Sequence, residues 1–279
     1  MHLRLASVTA FALLMFAANS VLCRMALGTG AVDAASFSTI RLASGAVMLL
    51  LIVLLRDRGT FQVGGDWRSA FWLFLYAVPF SFAYLGLGAG TGALILFGSV
   101  QATMLLSAWR AGERPSALQW TGLLIALAGL VYLVSPGLSA PPAFSAGLMA
   151  LAGAAWGIYS LSGRKGGDPL LRTTGNFVRA VPLVIVVSTV AWSQANITTS
   201  GAVLAVISGA LASALGYVAW YAALKHLTAT KASTLQLSVP VIAALGGAVL
   251  LSESITLRLV LASAMVLGGV GLTLIRQRS

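Results

Sequence analysis

The sequence predicts an all-α integral membrane protein: ten transmembrane helices in a five-plus-five inverted-topology repeat, with both termini inside. Three observations carry this expectation: an apolar composition, ten apolar runs of spanning length, and a weak similarity between the two halves. Of 279 residues, 59% are hydrophobic and only 8% are charged, and the mean hydropathy is +0.96. Soluble domains carry about 25% charged residues. This chain has too little polar surface to cover its apolar material in water.

A bilayer core takes about 20 apolar residues per helix. The runs, in order, are 5–27, 34–55, 68–88, 91–110, 116–134, 144–163, 173–192, 201–223, 229–251 and 257–275. The first follows Arg4 but is too long for a signal-peptide core and lacks a clear small-x-small cleavage site, so it reads as a retained helix. Strand alternation is absent, which disfavours a closed β-barrel.

Basic residues fix the orientation. With the N-terminus inside, the inner segments hold Arg4, Arg56, Arg58, Arg68, Arg110, Arg114, Arg164, Lys165, Arg172, Lys225, Lys231, Arg276 and Arg278. The outer side holds Arg24 and Arg258 alone. The positive-inside rule therefore places both termini in the cytoplasm, and the expected location is the inner membrane of a bacterium.

The net charge of +11 forms no dense patch with interleaved aromatics, so nucleic acid is not an expected partner. Cys23, the single cysteine, excludes an internal disulfide and cannot alone build a metal site. No metal or cofactor is expected. The glycines of "GLGAGTG" (86–92) follow no strand and read as a tight turn rather than a nucleotide loop. No His/Asp/Glu cluster or nucleophile with a nearby base points to an enzyme, and no Walker motif points to ATP.

Offset by 139 residues, "TGALILFGSVQ" (91–101) lies on "TKASTLQLSVP" (230–240), matching Thr91 with Thr230, Ala93 with Ala232, Ser99 with Ser238 and Val100 with Val239. One residue of slippage brings Glu113 onto Glu253, and an offset of 138 brings Arg41 onto Arg179. The expected units are 1–137 and 138–279. Five helices per unit is an odd number, so the second copy enters the membrane from the opposite face, as in many secondary transporters. Glu113 in "SAWRAGERPSALQWTG" and Glu253 in "LLSESITLRLVLASA" then mark the same turn in each copy. Capping or turn roles are expected for both, with Ser116 and Gln119 as a capping box and Thr256 as a cap.

The segments "GERPSALQWTGLLIALAGLVYLV", "SESITLRLVLASAMVLGGVGLTLI" and "LQLSVPVIAALGG", together with the repeat, resemble the EamA-type drug/metabolite transporter superfamily across essentially the whole chain. Within it, bacterial YddG-like amino-acid exporters offer a characterised comparison. The chain carries Gln101 where many relatives have the proline kept here as Pro240. The resemblance implies a central cavity lined by helices 1, 3, 4, 6, 8 and 9.

Polar and aromatic residues near mid-span supply the candidates: Asn19 in helix 1; Tyr76, Phe80, Ser81 and Tyr84 in helix 3; Ser99, Gln101 and Thr103 in helix 4. Helix 6 adds Trp156 and Tyr159, helix 8 Ser213 and Tyr217, and helix 9 Gln236 and Ser238. Amides in lipid need partners, so Asn19, Gln101 and Gln236 either line a path or bond between helices. Trp156 and Tyr159 share a helix face. Trp67, Trp109, Trp120, Trp192 and Trp220 are expected in the interfacial belt. Arg41 and Arg179 either snorkel to the nearer interface or line the path of anionic or zwitterionic solutes.

The expected function is a secondary transporter exporting small metabolites, foremost amino acids including aromatic ones, by alternating access. Export of cationic drugs or sugar derivatives, or a channel-like facilitator, remains open at this point. The expected partners are a small-molecule substrate and membrane lipid, with a monomer as the working unit.

Overall fold

The computed structural model describes residues 2–58, 63–110, 116–135, 140–163, 167–227, 232 and 235–274. Among them the chain is helical, with one isolated antiparallel bridge joining Val32 to Ile197. The helices are α1 (His2–Gly28), α2 (Ala34–Arg56), α3 (Trp67–Ala83), α4 (Ala89–Arg110) and α5 (Ala117–Val134). They continue with α6 (Ala143–Gly163), α7 (Pro169–Val190), α8 (Thr199–Leu224), α9 (Ser238–Leu251) and α10 (Leu257–Leu274). Six of these, α1, α2, α4, α6, α7 and α8, are long and apolar enough to cross a membrane; α5, α9 and α10 contain shorter apolar helices.

Helix starts follow from capping chemistry. The first backbone N–H groups of a helix lack intrahelical acceptors, and short acidic side chains supply them. Asp33 accepts from the Ser36 amide at 2.8 Å, Asp66 from the Ser69 amide at 2.8 Å, and Asp168 from the Leu170 amide at 2.8 Å. Thr256 accepts from the Leu259 amide at 3.2 Å, so it caps α10 as expected. The turn carrying Glu113 lies outside the described residues.

Helix α8 is not uniform. Its middle, Ser208–Leu215, is a π-helical turn between two α segments. Such widened turns are frequent at functional sites, and the apolar run of this helix does not announce one.

The packing is pairwise. α3 and α4 both lie against α6; α8 and α9 both lie against α1. α2 packs on α7, α4 on α9, and α5 on α10; α3 touches α7 while α2 touches α8. Glycines allow the closest of these approaches. A Cβ on Gly153 would meet the Leu96 carbonyl, and one on Gly209 would meet the Arg41 carbonyl and Ser44.

Candidate functional site

At the centre of this packing, α1, α2, α3, α6 and α8 bring a polar and aromatic cluster out of contact with solvent. Arg41, from α2, is 1% exposed. Its Nε donates to Ser213 Oγ at 2.9 Å, and its Nη2 donates to Tyr76 Oη at 3.0 Å and Tyr217 Oη at 2.8 Å. The guanidinium carbon lies 4.9 Å from the Phe80 ring centre and 5.3 Å from that of Tyr76, within cation–π range. Arg41 does not snorkel.

Asn19 joins from α1. Its Oδ1 accepts from Ser208 Oγ at 2.8 Å and Ser213 Oγ at 3.2 Å. Ser208 and Ser213 are five apart, which the π turn places on one face. Around this polar centre stand rings at close range: Trp156 with Tyr217 at 4.7 Å and Tyr76 at 4.9 Å, and Phe16 with Trp156 at 5.2 Å. Trp156 Nε1 donates to Gln236 Oε1 at 2.9 Å, extending the cluster toward α9.

Buried charge is costly unless paired, yet no described carboxylate faces Arg41. Asp33, Asp66 and Asp168 cap helices; Asp57 pairs with Arg56 at 2.7 Å and Glu253 with Arg24 at 3.0 Å. Intramembrane charge held at this expense marks function by default.

Of the remaining candidates, Tyr84 and Tyr159 border the cluster and the others fall elsewhere. Arg179 Nη1 donates to the Gly64 carbonyl at 2.8 Å and to that of Gly175 at 3.0 Å, tying a connection to α7. Tyr84 is buried with its ring 4.8 Å from that of Phe80, and its hydroxyl donates to the Ala89 carbonyl at 3.4 Å. Tyr159 stacks on Tyr221 at 5.2 Å and lies 5.5 Å from Trp156. Ser81 and Thr103 bond carbonyls one turn back, at 3.0 Å and 2.8 Å, while Ser99 sits at the α4–α6 contact beside Gly153. Ser238 is exposed and donates to the Leu235 carbonyl at 2.8 Å. Gln101 is buried, and its Oε1 has no partner among the described residues.

Trp220 requires a correction. It is fully buried and packs 5.5 Å from Phe16, so it belongs to the core rather than the interfacial belt. Trp67, Trp109 and Trp192 are exposed. Phe16 and Ser208 were not singled out from sequence. Phe16 stands one turn before Asn19, a spacing that puts both on one face; nothing in the apolar pattern marks Ser208.

Both ends of the cluster are closed. At one, Glu253 Oε1 accepts from Arg24 Nε at 3.0 Å while Oε2 accepts from the Ala89 amide at 2.8 Å, capping α4 across the molecule. Arg24 Nη1 also donates to the Tyr84 carbonyl at 3.1 Å. Here a cavity of about 290 Å³ is lined by Arg24, Gly88, Thr91, Ala244, Glu253 and Leu259. At the other end the Gly64 amide donates to the Leu171 carbonyl at 3.0 Å, and Arg56 reaches Asp168 at 2.7 Å.

Comparison with known proteins adds a lineage to this geometry. The EamA-like transporter family matches residues 143–275. A Pseudomonas aeruginosa protein, PA1977, itself uncharacterized, is 50% identical over 267 residues, covering 96% of this chain and 93% of its own length. An uncharacterized transporter of Archaeoglobus fulgidus is 25% identical over 245 residues, covering 84% of this chain and 86% of its own. A protein of known crystal structure shares the fold with a TM-score of 0.70 at 16% identity, over 98% of this chain and 99% of that one.

Proposed function

We propose, on the premise that the chain belongs to the EamA-like transporter family, that this multi-pass membrane transporter is a secondary carrier. It exports small metabolites, foremost amino acids including aromatic ones, from the bacterial cytoplasm by alternating access. One observation carries the reading: the central cluster is assembled from both halves of the chain. Arg41, Tyr76 and Asn19 come from the first, and Ser213, Tyr217 and Trp156 from the second. Carriers built from repeats hold substrate at such a seam, near the bilayer midplane.

The pattern of helix contacts supports a two-fold repeat, which five helices per unit, an odd number, would make an inverted one. Exchanging α1 to α5 with α6 to α10 turns the α3–α6 contact into α8–α1, α4–α6 into α9–α1, and α3–α7 into α8–α2. The contacts α2–α7, α4–α9 and α5–α10 map onto themselves. A carrier rocks one unit against the other around a fixed site, and in this structure the cluster is closed at both ends. The substrate's apolar part meets the rings of Phe80, Trp156 and Tyr217; its polar part meets Arg41 and Asn19. Burying such a solute from water gives the rings roughly 25 cal/mol per Å² of apolar contact.

The test is counterflow in proteoliposomes containing the purified protein, against a panel of labelled amino acids. Saturable exchange is the expected result, and non-saturable flux without counterflow would point to a channel. Reporters fused at both termini are expected to behave as cytoplasmic, given the thirteen inner and two outer basic residues.

A further inference from the structure

We infer that Arg41 and Asn19 form a carboxylate-binding subsite within the central cluster, an inference that rests on the carrier reading above. Arg41 has five N–H donors. Nε uses one on Ser213, and Nη2 uses its two on Tyr76 and Tyr217. Both protons of Nη1 are buried with no acceptor among the described residues.

The orientation of Asn19 follows from the same chain of bonds. Ser213 Oγ accepts from Arg41 Nε and donates to Asn19 Oδ1, which also accepts from Ser208 Oγ. Asn19 Nδ2 is therefore turned away from both serines, and it too is buried without a partner among the described residues. Tyr76 adds a third donor. Its oxygen accepts from Arg41 Nη2 and from Tyr217 Oη, at 3.0 Å and 3.1 Å, leaving its own proton free to donate.

The centre thus holds a surplus of donors, one of them cationic, and no described acid answers them. An unsatisfied buried donor costs about 1–3 kcal/mol, more when charged. A ligand that accepts several hydrogen bonds and carries one negative charge satisfies the set. A carboxylate is that ligand, since it carries one negative charge and two accepting oxygens for the unused protons of Arg41 Nη1 and Asn19 Nδ2. A cationic solute without an acid group would instead meet like charge.

The experiment uses the full-length protein purified in detergent, with thermal stability as the readout. The probes are phenylalanine, 3-phenylpropionate, phenylalaninamide and inorganic phosphate, at neutral pH. The two carboxylates are expected to stabilise the protein at concentrations at least 10-fold lower than the amide, which keeps the ring and the ammonium but loses the acid. Arg41→Lys keeps charge but loses Nη1 and its two protons, and is expected to weaken the carboxylate response. Because Arg41 also braces two tyrosines, Asn19→Asp is the deciding variant. It preserves side-chain shape, supplies an internal carboxylate, and is expected to fold while losing at least 10-fold in carboxylate response. Equal binding of amide and acid, stabilisation by phosphate alone, no response to any probe, or an Asn19→Asp protein that responds as wild type would each overturn the subsite. Counterflow of a solute without an acid group would leave the carrier standing while the subsite fell. Carboxylate binding with no counterflow would do the reverse.

Discussion

Arg24 on α1 and Glu253 beyond α9 are 229 residues apart in the chain, yet Nε and Oε1 meet at 3.0 Å. Glu253 does more than neutralise Arg24: its second oxygen takes the Ala89 amide that opens α4. A residue expected to serve its own turn therefore locks an element of the first half to the connection before α10. Any motion that separates α1 and α4 from α9 must break this clasp.

Glu253→Gln is expected to loosen this end of the molecule. Cys23, the single cysteine, is fully buried one residue before Arg24 and provides an internal reporter. Membrane-impermeant maleimide should leave wild type largely unlabelled and label the variant at least several-fold faster. Equal labelling would show that the clasp does not guard access.

Tyr217→Phe removes one hydroxyl that accepts from Arg41 and donates to Tyr76. Hydrogen bonds to charged groups contribute about 1.5–3 kcal/mol. The variant should lose stability on that order in chemical or thermal unfolding, and lose transport per folded molecule as well. Unchanged transport would assign Tyr217 to packing alone.

Gly209→Ala places a methyl group against the Arg41 carbonyl and Ser44 Oγ at the contact of α2 with the π turn. Overpacking of this kind costs about 1–3 kcal/mol, and here it also shifts Arg41. Gly268→Ala meets nothing within 4 Å and serves as the control. The first should lower the melting temperature and the second should not.

Acid stability should trace to the connections. Burial raises the Asp33 and Asp66 carboxyls, but hydrogen bonds outweigh it and hold both below the usual carboxylate range. The donors are Ser36 and the Asn196 amide for Asp33, and the Ser69 amide and hydroxyl for Asp66. A depressed folded pKa gives stability that is fully present above the unfolded value, about 3.9, and lost as pH falls through the folded one. Melting temperature should therefore hold from neutral pH to about pH 5 and fall in stronger acid. In Asp33→Asn and Asp66→Asn the acid-side slope should flatten.

Transport should not require protons. Proton-coupled carriers relay through intramembrane acids or histidines, whereas each described acid caps a helix or pairs at a helix end or connection. A pH gradient imposed across proteoliposomes, with membrane potential clamped, should drive no uphill accumulation of a net-neutral amino acid. Sustained accumulation would require a proton site.

Composition and run length alone determined the membrane class, because the bilayer imposes a length and polarity that few other environments share. They also nominated Arg41, Tyr76, Asn19, Ser213, Tyr217 and Trp156, since a polar group in an apolar run has few structural excuses. Which of these meet was decided only by tertiary structure. Arg41 and Arg179 occupy matching positions in sequence, but one is enclosed by tyrosines and the other reaches a loop carbonyl. The difference lies in what the neighbouring helices present to each, and neighbours 172 and 176 residues away leave no local trace. The π turn that aligns Ser208 with Ser213 is equally silent in sequence, as the run around it is apolar on nearly every face and offers no stripe for the extra residue to shift. Trp220 shows the same limit from the other side: a tryptophan near the end of an apolar run reads as a belt residue, and only the arrival of Phe16 from α1 buries it.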